Sequence, residues 1–196
     1  MYRLFIAGLD AAVASIMIIP VFLVLDQTFF HDRKKTLFYI VLSVYLAGVY
    51  LVVGLPNVSY IHFEANINYI PFLDLFTDLS AALLNIILFL PLGFLSALLW
   101  KPFRTIQQNL MLCFSLSLFI ETLQLFTFRA TDVNDLITNT LGGLTGWFLG
   151  NAALNKFPRL SCNGTGKDAF VVFGSVLVIM FFIHPFIAPI IWNLIY

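Results

Sequence analysis

Six stretches of this 196-residue chain, at about 4–25, 37–56, 79–100, 106–128, 135–154 and 169–195, each approach the roughly 20 apolar residues that a helix needs to cross a bilayer. In hydrocarbon the backbone must satisfy its own N–H and C=O groups, so only helices and closed barrels are admissible. Short segments of alternating polarity, the mark of a barrel, are absent. The sequence therefore predicts an all-α, polytopic transmembrane bundle of about six spans. Lipid is its expected partner. A hydrophobic fraction of 61% against 10% charged residues excludes the soluble globular classes and nucleic-acid binding.

The span order divides the chain into an N-terminal anchor with its basic loop (1–36), a transmembrane core (37–155), and a loop with a C-terminal helix (156–196). The first span, with Arg3 and the small residues Ala11, Ala12 and Ala14, has some features of a signal peptide. Asp10 interrupts its apolar run, the small residues fall in mid-segment, and hydrophobicity continues to Leu25, so a retained anchor is expected.

Zero net charge conceals an asymmetry that orients the chain. Eight of the ten basic residues (Arg33, Lys34, Lys35, Lys101, Arg104, Lys156, Arg159 and Lys167) fall in the first, third and fifth loops. Lys and Arg favour cytoplasmic loops, so both termini are expected outside, together with the second loop (57–78) and the fourth (129–134). The second loop lacks basic residues and carries Tyr60, Tyr69 and Phe76, which suits an interfacial connector or a lid. The basic run from His31 to Lys35 reads as a topology determinant. Cys113 lies in a span and Cys162 in a loop on the reducing side, so no disulfide is expected.

Polar residues inside spans are costly, and their positions are informative. At 100° per residue, Ser117, Glu121, Gln124 and Phe128 share one face of the fourth span, with Glu121 about 10 Å from the Phe128 end at the standard rise. On the fifth, Asp132, Asp135, Asn139, Gly146 and Gly150 align. Gly142, Gly146 and Gly150 form overlapping GxxxG steps that admit close approach of another helix. On the third, Asp78, Asn85, Phe89 and Ser96 align, followed by Pro91 and Gly93. Three polar faces at similar depth predict one shared, outward-facing polar pocket.

The order of Asn85 in NIILFLPLGFL, IETLQ at 120–124, Arg129, Asp132 and Asp135, then NTLGGLTGWFLG at 139–150, resembles the VanZ-like family over about residues 40–153. The resemblance implies a multi-pass protein of the bacterial cytoplasmic membrane with a role in the cell envelope, related to an accessory of glycopeptide resistance that raises tolerance to teicoplanin. It also implies functional positions at Asn85, Glu121, Gln124, Arg129, Asp132, Asp135 and Asn139. The partner it suggests is a glycopeptide or a lipid-linked cell-wall intermediate.

These residue types leave several chemistries open. Glu121, Asp132 and Asp135 can divide acid and base roles in hydrolysis or group transfer, with Arg129 gripping a phosphate. Asn85, Gln124 and Asn139 would then serve as binding groups. The same carboxylates and amides can hold Mg²⁺ or Ca²⁺. Alternatively, Arg129 pairs with Asp132 or Asp135 to order the short loop, both aspartates favour a helix N-terminus, and Thr131 caps it. No GxSxG, HExxH or P-loop is present. An accessory binding protein is the rival to an enzyme, whereas a transporter is disfavoured because no half-repeat is visible. His184, in a proline-kinked span, is expected to be structural, and His62 has no expected partner. Asp10 can join the cavity or cap a neighbouring helix.

The topology is testable by labelling intact cells with a membrane-impermeant maleimide. Lys34→Cys and Lys101→Cys are expected to stay unlabelled while Ala130→Cys reacts. The opposite pattern would invert the orientation.

Overall fold

The computed structural model of the protein describes residues 2–63, 67–68, 70 and 79–195, with side chains from residue 8 to 194. Tyr69, Phe76 and Asp78 lie outside the described residues. The described chain forms seven α-helices: α1 (Tyr2–Leu25), α2 (Arg33–Val52), α3 (Leu79–Leu99), α4 (Ile106–Gln124), α5 (Val133–Lys156), α6 (Gly166–Val178) and α7 (His184–Ile195). A π-helical turn at Ile179–Ile183 joins α6 to α7, and another at Asp26–Phe30 extends α1. Two residue pairs, β1 (Ile67–Asn68) and β2 (Thr131–Asp132), form a minimal parallel ladder.

Five described helices are long and apolar enough to cross a membrane: Gly8–Phe30, Arg33–Val52, Leu79–Leu99, Ile106–Gln124 and Gly166–Leu194. The sixth expected span, α5, has 24 residues and so reaches roughly 36 Å, but it is not among those five. Asn134, Asp135, Thr138, Asn139 and its glycines lower its apolar content, and most of them are turned into protein. Its outer face is apolar, with Leu141, Phe148 and Leu149 exposed. The chain is thus an all-α polytopic bundle in which one helix trades hydropathy for a polar interior face.

Contacts divide the chain into two compact units. In the first, Met1–Ile61 with Lys167–Tyr196, Ala14, Ile18 and Phe22 form a buried row on α1 at four-residue spacing, and Tyr39, Leu42 and Ala47 are buried on α2. Phe30 stacks on Phe22 and meets Tyr39 edge-on at 4.9 Å. His31, at φ 52°, reverses the chain, and Asp32 caps α2 by accepting the Lys34 and Lys35 N–H groups. The Tyr39 hydroxyl donates to buried Asp168 at 2.9 Å, joining α2 to the first turn of α6.

The second unit, His62–Gly166, is built from α3, α4 and α5. Its seam is a row of glycines. A Cβ at Gly142 would strike the Ile86 carbonyl, one at Gly146 the Leu90 carbonyl, and one at Gly150 the Phe94 carbonyl. Contacts that advance by four on both helices mean that α3 and α5 run parallel, nearly backbone to backbone. Gly93 answers from α3, facing the Gly143 carbonyl, while Gly143 meets the Cys113 side chain of α4. The α5 helix therefore sits between two neighbours, as the GxxxG spacing predicts.

The ends of this three-helix unit are tied separately. At one end, the Cys162 and Gly164 N–H groups donate to Leu98 and Leu99 carbonyls, and Arg104 reaches Ser161, Asn163 and the Ala97 carbonyl. Buried Asn109 donates to Ser96 Oγ at 2.7 Å and to the Phe103 carbonyl. The C-termini of α3 and α5 and the N-terminus of α4 meet here. Because the α5 N-terminus is bonded to the far end of α4, α5 runs the full length of the unit.

Gly93→Ala and Gly146→Ala are expected to destabilise the protein by about 1–3 kcal/mol, the usual range for over-packing. Gly174→Ala, with nothing within 4 Å of the added Cβ, is expected to leave the melting temperature unchanged or raised. Equal effects at all three sites in a thermal-shift assay would refute the seam.

Candidate functional site

The fourth helix ends at Gln124 rather than continuing to Phe128, and this shortening builds the site. Phe126 and Thr127 N–H groups fold back to the Leu123 and Gln124 carbonyls, and the Thr127 hydroxyl adds a second bond to Gln124. Glu121 is consequently one turn from the helix end. Phe128, placed by periodicity on the Glu121 face, is exposed instead and stacks on His62 at 4.3 Å.

The chain then crosses back toward α4 before α5 begins. Thr131 donates from its hydroxyl to the Glu121 carbonyl at 3.0 Å, and the Asp132 N–H donates to Glu121 Oε2 at 2.9 Å. Glu121 is 4% exposed, so a backbone donor is what makes its burial tolerable. Asp132 is the N-cap of α5: its Oδ1 accepts the Asn134 N–H at 2.7 Å. The capping role that sequence reasoning gave to Thr131 belongs to Asp132, because Thr131 turns to α4. Asp132 Oδ2 accepts from Asn68 at 3.1 Å, in register with the β1–β2 ladder.

One turn into α5, Asp135 Oδ1 accepts from Asn85 of α3 at 2.7 Å. A turn further, buried Asn139 donates to Ser117 of α4 at 3.0 Å. Its Oδ1, also buried, has no hydrogen-bond partner. Gln124 is buried at the same end, and Arg129 is exposed there. The charges of Asp132 and Asp135 act on Glu121, and that of Arg129 acts on Asp135.

All seven positions singled out in the sequence, Asn85, Glu121, Gln124, Arg129, Asp132, Asp135 and Asn139, thus belong to one end of one unit. Direct bonds link Asn85 to Asp135, Glu121 to Asp132, and Asn139 to Ser117. Both Asp132 oxygens are engaged in holding structure, whereas Glu121 and Asp135 each have one oxygen outside these bonds. Among the described residues, no group of three His, Cys, Asp or Glu side chains is arranged to hold a metal ion.

One contributor to the site, and one buried polar residue at the opposite end of the unit, escape sequence reasoning. Asn68 lies outside the spans, in the β1 pair, where no helical periodicity marks it. Asn109 carries a signal that the pattern 109, 113, 117, 121, 124 displays: one face of α4 is polar or small along its whole length, and every one of those residues is buried.

Aspartate and asparagine cap helices about equally well, so the function of Asp132 can be separated from its charge. Asp132→Ala is expected to cost about 1 kcal/mol or more, and Asp132→Asn, which keeps the cap on the Asn134 N–H but loses the acceptor for Asn68, clearly less, by chemical or thermal unfolding. Equal losses in both variants would assign the stabilisation to the charge instead.

The VanZ/LLP1 family model matches residues 16–154, a span that includes the whole cluster. No curated protein matches, nor does any solved structure.

Proposed function

The chain belongs to the VanZ/LLP1 family, and on that premise we propose that it is a multi-pass protein of the bacterial cytoplasmic membrane whose Glu121 cluster, facing outward, recognises the polar head of an envelope amphiphile. A glycopeptide or a lipid-linked cell-wall intermediate fits this description, and tolerance to teicoplanin is the phenotype that would follow. The carrying observation is Glu121, a carboxylate buried near a span end and fixed by the Asp132 N–H. An ionisable group at that depth is costly, and here helix capping and the bridge to α3 are already performed by Asp132 and Asp135.

The surroundings suit an amphiphile. Glu121 and Asp135 offer acceptor oxygens, Arg129 an exposed fork of donors, and Asn139 a buried carbonyl with no partner in the protein. Beside them, Phe63 packs on Phe126 at 5.6 Å and His62 on Phe128, and both Phe63 and Phe128 are 65% exposed. Aromatic surface of this kind favours the membrane interface and can carry the apolar part of the same ligand.

A second reading is group transfer or hydrolysis on a lipid-linked substrate. It is favoured by one feature: Glu121 is held in place before any ligand arrives, as a general acid or base must be, with Asp135 acting on it electrostatically. Under this reading Glu121→Gln retains ligand and abolishes turnover. Under the binding reading, the same variant weakens capture roughly tenfold, the loss expected for a hydrogen bond to a charged group.

The test is teicoplanin susceptibility of a sensitive bacterial host, with wild type and Glu121→Gln matched for membrane level by immunoblot. Protection by wild type and loss of protection in Glu121→Gln is expected. Absence of protection by wild type would sink the resistance role, and failure of the variant to accumulate would return Glu121 to a structural part.

A further inference from the structure

The first unit contains a polar group of its own, with Asp10 and Trp192 close to the ends of the Gly8–Phe30 and Gly166–Leu194 spans. Asp10 of α1 accepts the indole N–H of Trp192 on α7 at 2.9 Å. His184, the first residue of α7, lies against the Asp10 main chain and within reach of its charge. The imidazole is 8% exposed, and its Nε2 is buried without a hydrogen-bond partner. Neither Asp10 nor His184 falls within the residues matched by the family.

Two helix irregularities aim this histidine. On α6 and α7 the buried positions Val172, Val176, Met180, His184 and Ala188 recur every four residues. In a straight α-helix a step of four drifts by about 40°, so the row would wind away from α1. The π-turn at Ile179–Ile183 takes up an extra residue and brings the row back. Pro185 then cannot donate to the Phe181 carbonyl four residues earlier, and the Val58 N–H fills that vacancy at 3.1 Å. The turn is thus held open by a specific partner and keeps His184 facing Asp10.

We propose that Asp10, His184 and Trp192 form an intramembrane proton-binding site: one proton from water adds to His184 Nε2, and the adjacent Asp10 carboxylate balances the imidazolium. A neutral imidazole beside a carboxylate leaves a net negative charge in the span, and protonation converts it to a neutral ion pair. Trp192 fixes the carboxylate by hydrogen bonding. On α2, which packs along α1, the titratable side chains beyond its basic first turn are Tyr39, bonded to Asp168; Tyr45; and Tyr50, bonded to the Pro56 carbonyl. Between residues 8 and 25 of α1, Asp10 is the sole titratable side chain, and from 179 to 195 His184 is. The segment bonded to Phe181 contributes Tyr60, through residue 61. The functional consequence is that the tie between α7 and α1 responds to pH independently of the Glu121 cluster.

The probe is the proton itself. Full-length protein labelled with 5-fluorotryptophan in lipid nanodiscs is titrated from pH 4 to 9, with the Trp192 ¹⁹F resonance assigned by Trp192→Phe. A single-proton shift of that resonance is expected, lost in His184→Gln and displaced in Asp10→Asn. An unresponsive Trp192, or the same curve in His184→Gln, overturns the site. Should His184→Gln fail to fold, His31→Gln/His62→Gln protein leaves His184 as the sole histidine of the three. Its ring ¹⁵N shifts then read Nε2 protonation directly, and shifts constant across the range overturn the proposal.

Discussion

The near contact of two backbones, α3 against α5, is the constraint on which the second unit depends. Lipid tails are as apolar as leucine, so burying apolar side chains gives helices in a membrane little reason to associate. Close packing and hydrogen bonds must supply the attraction. Glycine at 142, 146 and 150 removes the side chains that would hold α3 away, and Gly93 does the same from the other side. With the helices that close, short side chains are long enough to bridge them. Asn85 reaches Asp135 across that seam, and Asn139 reaches Ser117 of α4 on the other side of α5, where Gly143 meets Cys113, without the long flexible arms that would cost conformational entropy.

That geometry explains how α5 tolerates its composition. A helix carrying Asn134, Asp135, Thr138 and Asn139 is a poor lipid-facing element, but these groups face α3, α4 or their own backbone. Thr138 and Thr140 donate to carbonyls one turn back, and Asp132 caps the first turn. The exposed side of α5 remains apolar through Leu141, Phe148 and Leu149. The unit is therefore organised opposite to a water-soluble bundle, with polarity inside and hydrocarbon outside.

Structural duty and residual chemical capacity are unevenly distributed among the acidic residues. Asp32 and Asp132 cap helices, Asp26 ties the α1 extension to Thr36 and the Asp32 N–H, and Asp168 receives Tyr39. Each of these gives a carboxylate a role that folding alone requires. Glu121 accepts one backbone bond and shields nothing else, while Asp10 in the first unit anchors an indole next to an imidazole with an unused nitrogen. Among the described acidic residues, Glu121 is buried and Asp10 half-buried within a span, and each keeps one carboxylate oxygen outside these bonds.

Run length and hydropathy determine the helices, because a bilayer imposes a minimum length and forbids other backbone states. The 100° periodicity likewise determines that Ser117, Glu121 and Gln124 lie on one face of α4, and the glycine spacing that α5 is approached closely. Periodicity fails where the helix stops: it carries Phe128 onto the Glu121 face because nothing in the apolar run marks the end at Gln124. The identity of the close partner as α3, the pairing of Asn85 with Asp135, the bond from Asp132 to Glu121, and the entry of Asn68 all depend on turns and on which helices meet. So does the meeting of Asp10 with His184, 174 residues apart in the chain. Local patterns encode which face of a helix is polar, since that follows from the rise and twist of one segment. Only the tertiary structure decides what that face meets, since this is settled by helix packing between segments.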